Sequence, residues 1–581
     1  MKKPLTDHTR RLLCWIPAAF LSAICIAVSL LWLDARYALN DDAAILRAFL
    51  GCEGGAVADF LPHQHELITI PLGFLNRQFP GIPFFSYLQV FLLWLGFTVI
   101  FKLPLQLTQH HKTVRIFSCG MVTALFGIMA LYVCARITYT QTAAVLVAAA
   151  AAELLSLNPD NDSTGVIVRC MLFSLFLFCL GYGLRLEILP AGLAFLGLCW
   201  LFQDIRIKKK NPKNHSFFCF ALILCATVVG VLFLQRQIRI SQPDVKEYMD
   251  WHKVRISVLD YHALNDLPQD LLDEIGWDKT TVSLVQECCF LPPEVNTEAL
   301  TKIQQYYQAQ AAPHLFERLT NGLAVLRDNL FSEQTFPLDR WPVFAFFSIA
   351  LLSLFFILFE KHERKEDLLL WICTTLLCLT LLFYLALQGR MPFRAVYTVI
   401  LSGTVLYTML MCRALQQISS RVPCIILCIA SVIAGTCCTA LNFKILPVSE
   451  EAVLEVGDPA TYLDEYAAYD ESTLYLYDYT LSGIENRLFP QSIDGLYPQN
   501  VAFFGGWRMF SSGSIQQFGN YGLDLMNREN DLLLSENLII ATGVCEPLVP
   551  ALTAWLQAHV DSSIEPMIWG EDGGIYYICF Q

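Results

Sequence analysis

The chain alternates between long apolar runs and polar segments, and this pattern predicts a protein that crosses a membrane many times. A helix needs about 20 apolar residues to cross roughly 30 Å of hydrocarbon. Runs of sufficient length cover residues 12–33, 83–107, 115–134, 137–156, 165–184, 187–203, 216–235, 341–359, 368–387, 394–412 and 422–441. We therefore predict a polytopic α-helical membrane protein with 11 transmembrane helices.

Lysine and arginine predict the orientation of this bundle. They concentrate before the first run and after the second, sixth, eighth and tenth runs, which share one side of the membrane if all eleven runs span it. Because positive loops stay in the cytoplasm, we expect the N-terminus inside and the C-terminus outside. Polar segments 34–82, 236–340 and 445–581 then face outward. The first run lacks a convincing cleavage site and is expected to remain as an anchor in the plasma membrane.

Composition separates the tail from the rest of the chain. The whole chain is 55% hydrophobic and 16% charged, with a mean hydropathy of +0.48, which excludes an ordinary soluble protein. From residue 450 onward there are 20 acidic residues and three arginines, so the formal charge of the tail is −17, whereas that of the whole chain is −13. Such a tail repels nucleic acid. We predict two domains, a transmembrane domain over 1–441 and an extracytoplasmic acidic domain over 445–581.

Both large outward segments have patterns typical of folded structure. In the tail, strand-like runs at 474–479, 501–505, 538–542 and 575–580 alternate with helix-like runs at 460–469, 515–527 and 548–559. This predicts a small soluble α/β domain. In the segment 236–340, the pattern predicts helices at 245–261, 284–289 and 298–330.

The main candidate for chemistry is the carboxylate pair Asp41 and Asp42, about eight residues beyond the first run. An ionised pair close to the bilayer is costly to desolvate unless it binds a cation, a proton or a polar substrate. Asn40 or either aspartate could instead cap a helix that begins at Ala43. The pair is therefore a catalytic candidate with a structural alternative.

The arrangement around this pair resembles the GT-C superfamily of integral-membrane glycosyltransferases. The likeness is carried by the Asn40-Asp41-Asp42 loop, seven spans before a large outward loop, and a soluble C-terminal domain. Within that superfamily the chain is similar to a bacterial group with a later Gly-Arg-x-Pro-x-Arg stretch, here residues 389–394. The resemblance implies a polyprenyl-phosphate-linked sugar donor and an acidic residue of the first outer loop acting as base or metal ligand.

Sugar transfer from a phosphate-linked donor needs a base for the acceptor hydroxyl and a positive group for the leaving phosphate. Asp41 and Asp42 can supply the base. Arginines at predicted outer ends of spans can bind phosphate, or anchor their helices; they are Arg136, Arg185, Arg390 and Arg394, with Glu187 close to Arg185. Adjacent carboxylates also suit Mg²⁺ or Mn²⁺, so either arginine or a metal held by Asp41 and Asp42 would serve.

Other polar residues have weaker patterns. His63, His65 and Glu66 offer metal-ligand side chains without an HExxH arrangement, so we expect a substrate-facing or interfacial role. Lys253 and Arg255 match a solvated helix face better than a phosphate site. Trp507 lies in a glycine-rich loop that could contact an acceptor glycan.

The sequence thus predicts a membrane glycosyltransferase that moves a sugar from a polyprenyl-phosphate carrier to an envelope glycan, lipid or protein. One alternative is a transporter or flippase for a lipid or glycan, which would need charged or broken helices at the bilayer midplane. Another is a non-catalytic envelope scaffold, in which the acidic tail recruits a partner.

Overall fold

The computed structural model describes residues 7–581 except 39, 53, 109–119, 121, 123–124, 126–128, 159–161, 211–215, 261, 263, 312–314, 332–336, 361–362, 389–390, 418–432, 434–436, 438–439, 441–469, 478–486, 490–498, 529–531, 544–546 and 573–574. It describes the backbone alone at residues 7–12, 40, 210, 216–217, 265, 311, 315–318, 329, 331 and 337–339.

Helices make up most of the described chain. In chain order they are α1 (Asp7–Trp32), α2 (Asn40–Leu50), α3 (Glu66–Gln78), α4 (Phe84–Leu107), α5 (Leu131–Ala135), α6 (Tyr139–Leu155), α7 (Thr164–Leu184), α8 (Leu189–Lys210), α9 (Ser216–Ile240), α10 (Pro243–Leu259), α11 (Gln269–Ile275), α12 (Lys279–Gln286), α13 (Thr297–Ala311), α14 (Leu315–Phe331), α15 (Pro337–Phe359), α16 (Arg364–Leu387), α17 (Phe393–Gln417), α18 (Ser512–Asn520) and α19 (Leu548–His559). The strands are β1 (Arg36–Tyr37), β2 (Arg136–Ile137), β3 (Leu474–Tyr477), β4 (Val501–Phe503), β5 (Leu538–Gly543), β6 (Pro566–Asp572) and β7 (Ile575–Phe580).

The chain is a polytopic helical membrane protein. Eight helical stretches in the described residues are long and apolar enough to cross a membrane, within α1, α4, α7, α8, α9, α15, α16 and α17. These confirm eight of the predicted runs as helices. The run at 137–156 forms the shorter helix α6, and those at 115–134 and 422–441 lie largely outside the described residues. The total of eleven spans and their orientation stay predictions.

Helix α6 lies at the centre of the bundle, and all 17 of its residues are buried. Its alanine-rich sequence lets neighbouring helices approach closely. A Cβ atom at Gly96 of α4 would lie 2.5 Å from a methyl group of Val145 in α6, and one at Gly181 of α7 would lie 3.0 Å from the Ala143 carbonyl oxygen. Small residues on both sides of these contacts therefore set the spacing of the bundle.

The polar segments between spans also form helices. Helix α10 agrees with the predicted run at 245–261, but the predicted helix at 298–330 is two helices, α13 and α14. Pro313 falls between them in the sequence, and proline cannot continue a helical hydrogen-bond ladder. The helix predicted at 284–289 starts earlier, because Asp278 caps α12 by accepting a hydrogen bond from the Thr281 N–H at 2.8 Å.

The tail contains a five-stranded mixed sheet in the order β4-β3-β5-β7-β6. Strands β4, β3 and β5 are parallel, whereas β7 runs antiparallel to β5 and to β6. Four strands and helix α19 fall where the sequence predicts them. Strand β6 was missed, and α18 ends at Asn520 rather than at residue 527. The helix-like run at 460–469 lies outside the described residues.

The segment 236–340 and the tail share one hydrophobic core. Trp251 and Phe290 from the segment belong to the same buried cluster as Leu476 and Trp555 from the tail. The Trp555 indole N–H donates to the Glu294 carboxylate at 2.9 Å, which adds a polar contact at the edge of this core. This shared core holds the tail at the end of the helical bundle that carries the first polar loop.

Candidate functional site

Asp41 and Asp42 lie in the first turn of α2, and their side chains have different surroundings. The helix begins at Asn40, so the predicted start at Ala43 is wrong by about one turn. Consecutive residues on a helix point about 100° apart, which separates the two carboxylates. The pair therefore divides between a buried position and a half-exposed one.

Asp42 is fully buried and caps a different helix from the one expected. Its Oδ1 accepts a hydrogen bond from the backbone N–H of Tyr139 at 2.6 Å, at the first residue of α6. Its Oδ2 is buried with no hydrogen-bond partner among the described residues. Burial raises the pKa of Asp42 well above its ordinary value, and the charge of Asp41 adds to this, while the Tyr139 bond opposes it. Asp42 is therefore suited to carry a proton on Oδ2 and to fix the start of α6.

Asp41 is the accessible member of the pair, with 37% of its side chain exposed. Its Oδ1 accepts a hydrogen bond from the indole N–H of Trp507 at 3.2 Å. Its Oδ2 lies 3.7 Å from a guanidinium nitrogen of Arg394, in the first turn of α17. Three segments that are far apart in the sequence therefore meet at one carboxylate.

Arg185 connects this carboxylate pair to a histidine pair. Its guanidinium donates to the Tyr139 hydroxyl and forms an ion pair with Glu187 at 2.8 Å. The positive charge of Arg185 also acts on Asp42, where it opposes the rise of that pKa. Arg185 and Glu187, which are close in the sequence, thus form an ion pair, and Arg185 also lies close to the carboxylates.

Beyond Glu187 the network continues through two imidazole rings. The Nδ1 of His63 is 2.7 Å from the Glu187 carboxylate, and its Nε2 is 3.3 Å from Nε2 of His252. Burial lowers the pKa of His252 to about 2, with His63 and Arg255 acting in the same direction. His252 is therefore neutral at physiological pH. The sequence analysis did not select His252, which follows the buried Trp251 in α10.

A cavity of about 540 Å³ opens beside this histidine pair. It is lined by Pro62, His63, Glu187, Leu232, Gln235, Arg236, Arg239, Ile240, Lys246, Met249, Asp250, His252, Lys253 and Ile256. Asp41 and Asp42 do not line it, and lie on the other side of Arg185. Four of the lining residues are basic and two are acidic, so the cavity favours anionic or polar ligands.

The prediction that Arg255 lies on a solvated helix face is wrong. Instead of lying on a solvated face, its side chain is buried against Trp251 and Phe290, with the guanidinium 5.9 Å from each ring centre. Burial lowers the pKa of Arg255, and the charges of Asp260 and Asp41 act in the opposite direction. The aromatic Trp251 one helical turn earlier is the only sequence signal for a packed position. Lys253 is exposed and lines the cavity.

The other predicted site residues have structural partners. Arg136 donates to the carbonyl oxygens of Asp34 at 3.2 Å and Ala135 at 3.0 Å, beside the short β1-β2 pair. Arg390 lies outside the described residues.

We use the name Asp41 site for the residues that meet near the carboxylate pair: Asp41, Asp42, Arg185, Arg255, Arg394 and Trp507.

His65 and Glu66 hold the first loop together and do not line the cavity. The Nδ1 of His65 accepts from the Leu67 N–H at 3.0 Å as the cap of α3, and its Nε2 donates to the Val231 carbonyl at 3.2 Å. Glu66 is buried and pairs with Arg239 at the end of α9. The bond from His65 to Val231 and the ion pair of Glu66 with Arg239 join the start of α3 to α9, so these two side chains have a structural role here.

Metal binding by Asp41 and Asp42 stays a prediction. The Oδ1 atom of Asp42 accepts the Tyr139 N–H, and Oδ2 of Asp41 lies 3.7 Å from Arg394. The Oδ2 atom of Asp42 is buried and has no hydrogen-bond partner among the described residues. Arginine is the positive group that the described residues place at this site.

The chain matches no protein-family model, no curated protein and no solved structure.

Proposed function

We propose that the protein is a membrane glycosyltransferase, which transfers a sugar from a polyprenyl-phosphate-linked donor to an envelope glycan, lipid or protein outside the cell. The observation that carries this proposal is the contact of Asp41 with both Arg394 and Trp507. A half-exposed carboxylate, a guanidinium and an indole are the groups that this reaction uses for a base, a phosphate and a sugar.

Asp41 is the general base in this proposal. It takes the proton of the acceptor hydroxyl while that oxygen forms a bond to the anomeric carbon of the donor. The bond between that carbon and the phosphate oxygen breaks, and polyprenyl phosphate leaves with the electron pair. Proton transfer by a positioned side chain contributes about 10²–10⁴-fold to a rate. Asp42 is a positioning residue, because its carboxyl fixes the start of α6 next to the base.

The leaving phosphate needs positive charge, and the Asp41 site supplies it from three helical segments. Arg394 contacts Asp41, whereas Arg255 and Arg185 interact electrostatically with it. Guanidinium groups bind phosphate through paired hydrogen bonds. Arg185 also pairs with Glu187 at 2.8 Å, and the charge of Asp260 acts on Arg255. Arg394, which lies beside Asp41, is therefore the guanidinium that best supports an anionic substrate.

The test compares envelope glycans and glycolipids in host cells that lack the native copy and carry the intact protein or a variant. We expect Asp41→Asn to lose one defined sugar, because asparagine keeps the acceptor for Trp507 but cannot take a proton. Asp244→Asn, an exposed position at the start of α10, is the matched control for loss of one negative charge. All variants are compared at equal abundance in the membrane.

An unchanged profile of envelope glycans and glycolipids in Asp41→Asn would reject the transferase proposal and favour transport or scaffolding. Transport has one observation in its favour, a buried ion pair between Lys102 of α4 and Glu153 of α6. Charged residues within a helical bundle often mark a transport pathway. If the protein is a transporter, cells with Lys102→Met should lose the glycan at their surface, and cells with Asp41→Asn should keep it. The transferase proposal predicts the reverse.

A further inference from the structure

A cluster of carboxylates lies at the opposite end of the helical bundle from the Asp41 site. Glu360 follows α15, Glu363 precedes α16, and Asp367 lies in the first turn of α16. One carboxylate oxygen from each lies within 4.8 Å of the others. We call these three residues the acidic cluster. Two ligands on opposite sides of a Ca²⁺ ion lie about 4.8 Å apart, at about 2.4 Å each, so one ion can reach all three.

Glu360 is the member of the acidic cluster that no positive group contacts among the described residues, although the charge of Arg413 acts on it from further away. Its side chain is 4% exposed, and neither of its carboxylate oxygens has a hydrogen-bond partner among the described residues. Leaving a buried carboxylate ionised without a partner is strongly unfavourable. A proton or a bound cation would remove this penalty.

Arg413 neutralises only part of the cluster. Its guanidinium contacts Glu363 and lies 3.1 Å from Oδ1 of Asp367, while the second oxygen of Asp367 is buried and unpartnered in the described residues. Arg206 adds a more distant positive charge that acts on Asp367. Among the described residues, three carboxylates outnumber the one arginine that contacts them, so the cluster can accept a further positive charge. Glu363 is 43% exposed, which gives that ion a route from solvent.

We propose that the acidic cluster binds one hard divalent cation, of the Mg²⁺, Ca²⁺ or Mn²⁺ class. The donors in the cluster are all carboxylate oxygen atoms, the ligand type that these ions prefer. Water completes the coordination on the side where Glu363 meets solvent. The bound ion links α15 to α16 and lies beside the last turn of α17. This site is independent of the Asp41 site and of sugar transfer.

The test titrates Mn²⁺ into the full-length purified protein in detergent and counts bound ions by electron paramagnetic resonance. We expect one bound ion per chain, and an affinity at least about tenfold weaker in Glu360→Gln. Glu366→Gln removes the same charge from the same helical turn, but Glu366 pairs with Lys209 outside the cluster, so this control should bind like the intact protein. Asp41→Asn should also bind normally.

Several results would overturn the proposal. The first is equal Mn²⁺ affinity in Glu360→Gln and the intact protein, and the second is loss of Mn²⁺ binding in Asp41→Asn alone. The third is that the intact protein binds no Mn²⁺ at millimolar concentration, which would mean that Glu360 carries a proton instead. Glu360→Gln removes a buried negative charge and keeps a side-chain oxygen that can accept from the Glu363 N–H, so its melting temperature without metal should equal or exceed that of the intact protein. If Glu360→Gln fails to fold, Asp367→Asn provides the second variant, with the same loss of Mn²⁺ affinity expected.

Discussion

Helix α17 has one arginine near each end, and the two arginines have different surroundings. Arg394, in the first turn, belongs to the Asp41 site, which contains three arginines and two aspartates. Arg413 lies about 28 Å further along the axis, at about 1.5 Å per residue, and contacts the acidic cluster. There, Arg413 is the one guanidinium among the described residues that contacts the cluster, through Glu363 and Asp367. The same residue type thus lies near other arginines at one end of the helix and near three carboxylates at the other.

This difference shows that the surrounding segments decide what an arginine can do. At the Asp41 site, the first loop, α10 and the tail bring further groups to Arg394, and half-exposed Asp41 leaves the charges accessible. At the acidic cluster, the ends of α15 and α16 bring carboxylates to a nearly buried Arg413. We therefore expect substitutions at the Asp41 site to change activity, and substitutions at the acidic cluster to change stability and cation binding.

The largest expected effect separates the two aspartates of the Asp41 site. Asp41→Asn should slow sugar transfer by about 10²–10⁴-fold, because the base is lost. Asp42→Asn should slow it by less than about tenfold, because an amide oxygen can still accept the bond from Tyr139. The measurement is the rate of sugar incorporation into the envelope acceptor. Equal losses in both variants would mean that the two carboxylates act as one unit.

The second prediction compares the two arginines of α17. Arg413→Met should lower the free energy of unfolding by about 3–5 kcal/mol, because it leaves buried carboxylates without their partner. Arg394→Met should lower it by less than about 1 kcal/mol, since its ion pair is 3.7 Å long and partly exposed. Denaturation of the purified protein in detergent measures both. Mn²⁺ should restore part of the lost stability in Arg413→Met but not in Arg394→Met. Similar losses of stability in both variants would contradict the difference between the two ends of α17.

The sequence predicted the helical runs well because a membrane span needs a long apolar stretch that any hydropathy profile detects. The strands β3, β5 and β7 and helix α19 were also predicted, from their alternating or helical periodicity. Asp41, Arg185 and Arg394 were selected as candidates, and the structure brings them together. Their position at the ends of apolar runs was sufficient for this, since those ends share one side of the bundle in the predicted orientation.

The contacts that depend on tertiary packing could not be predicted. His252 is buried beside His63 of the first loop, and Arg255 is buried against Phe290, which lies 35 residues further along the chain. The pattern of a single helix does not contain that information. His65 resembled a ligand in the sequence, but it caps α3 and bonds to α9, 166 residues away. Glu360 and Asp367 lay in a loop that the sequence analysis treated only as part of a basic, cytoplasmic region. The acidic cluster appears only when two helix ends meet.

The third prediction uses the raised pKa of Asp42. A carboxyl whose pKa is higher in the folded state takes up a proton on folding, so stability falls as pH rises above the ordinary aspartate value of about 3.9. The slope is at most about 1.4 kcal/mol per pH unit until the folded pKa is reached. Asp42→Asn removes this dependence. Melting temperatures of the intact protein and the variant, measured from pH 5 to 8, should therefore diverge in favour of the variant as pH rises. Asp244→Asn should follow the intact protein, and parallel curves for Asp42→Asn would show that Asp42 is ionised in the folded protein.

The smallest predicted effect tests whether the tail takes part in the Asp41 site. Trp507→Phe keeps the ring but removes the N–H that donates to Asp41 at 3.2 Å, and one such bond contributes about 1 kcal/mol. Sugar transfer should then slow by about fivefold, and the free energy of unfolding should fall by no more than about 1 kcal/mol. Trp569→Phe, at an exposed position of β6, is the matched control and should have no effect. If Trp507→Phe transfers sugar at the normal rate, the tail is a packing element only, and the first loop and the helical bundle form the site without it.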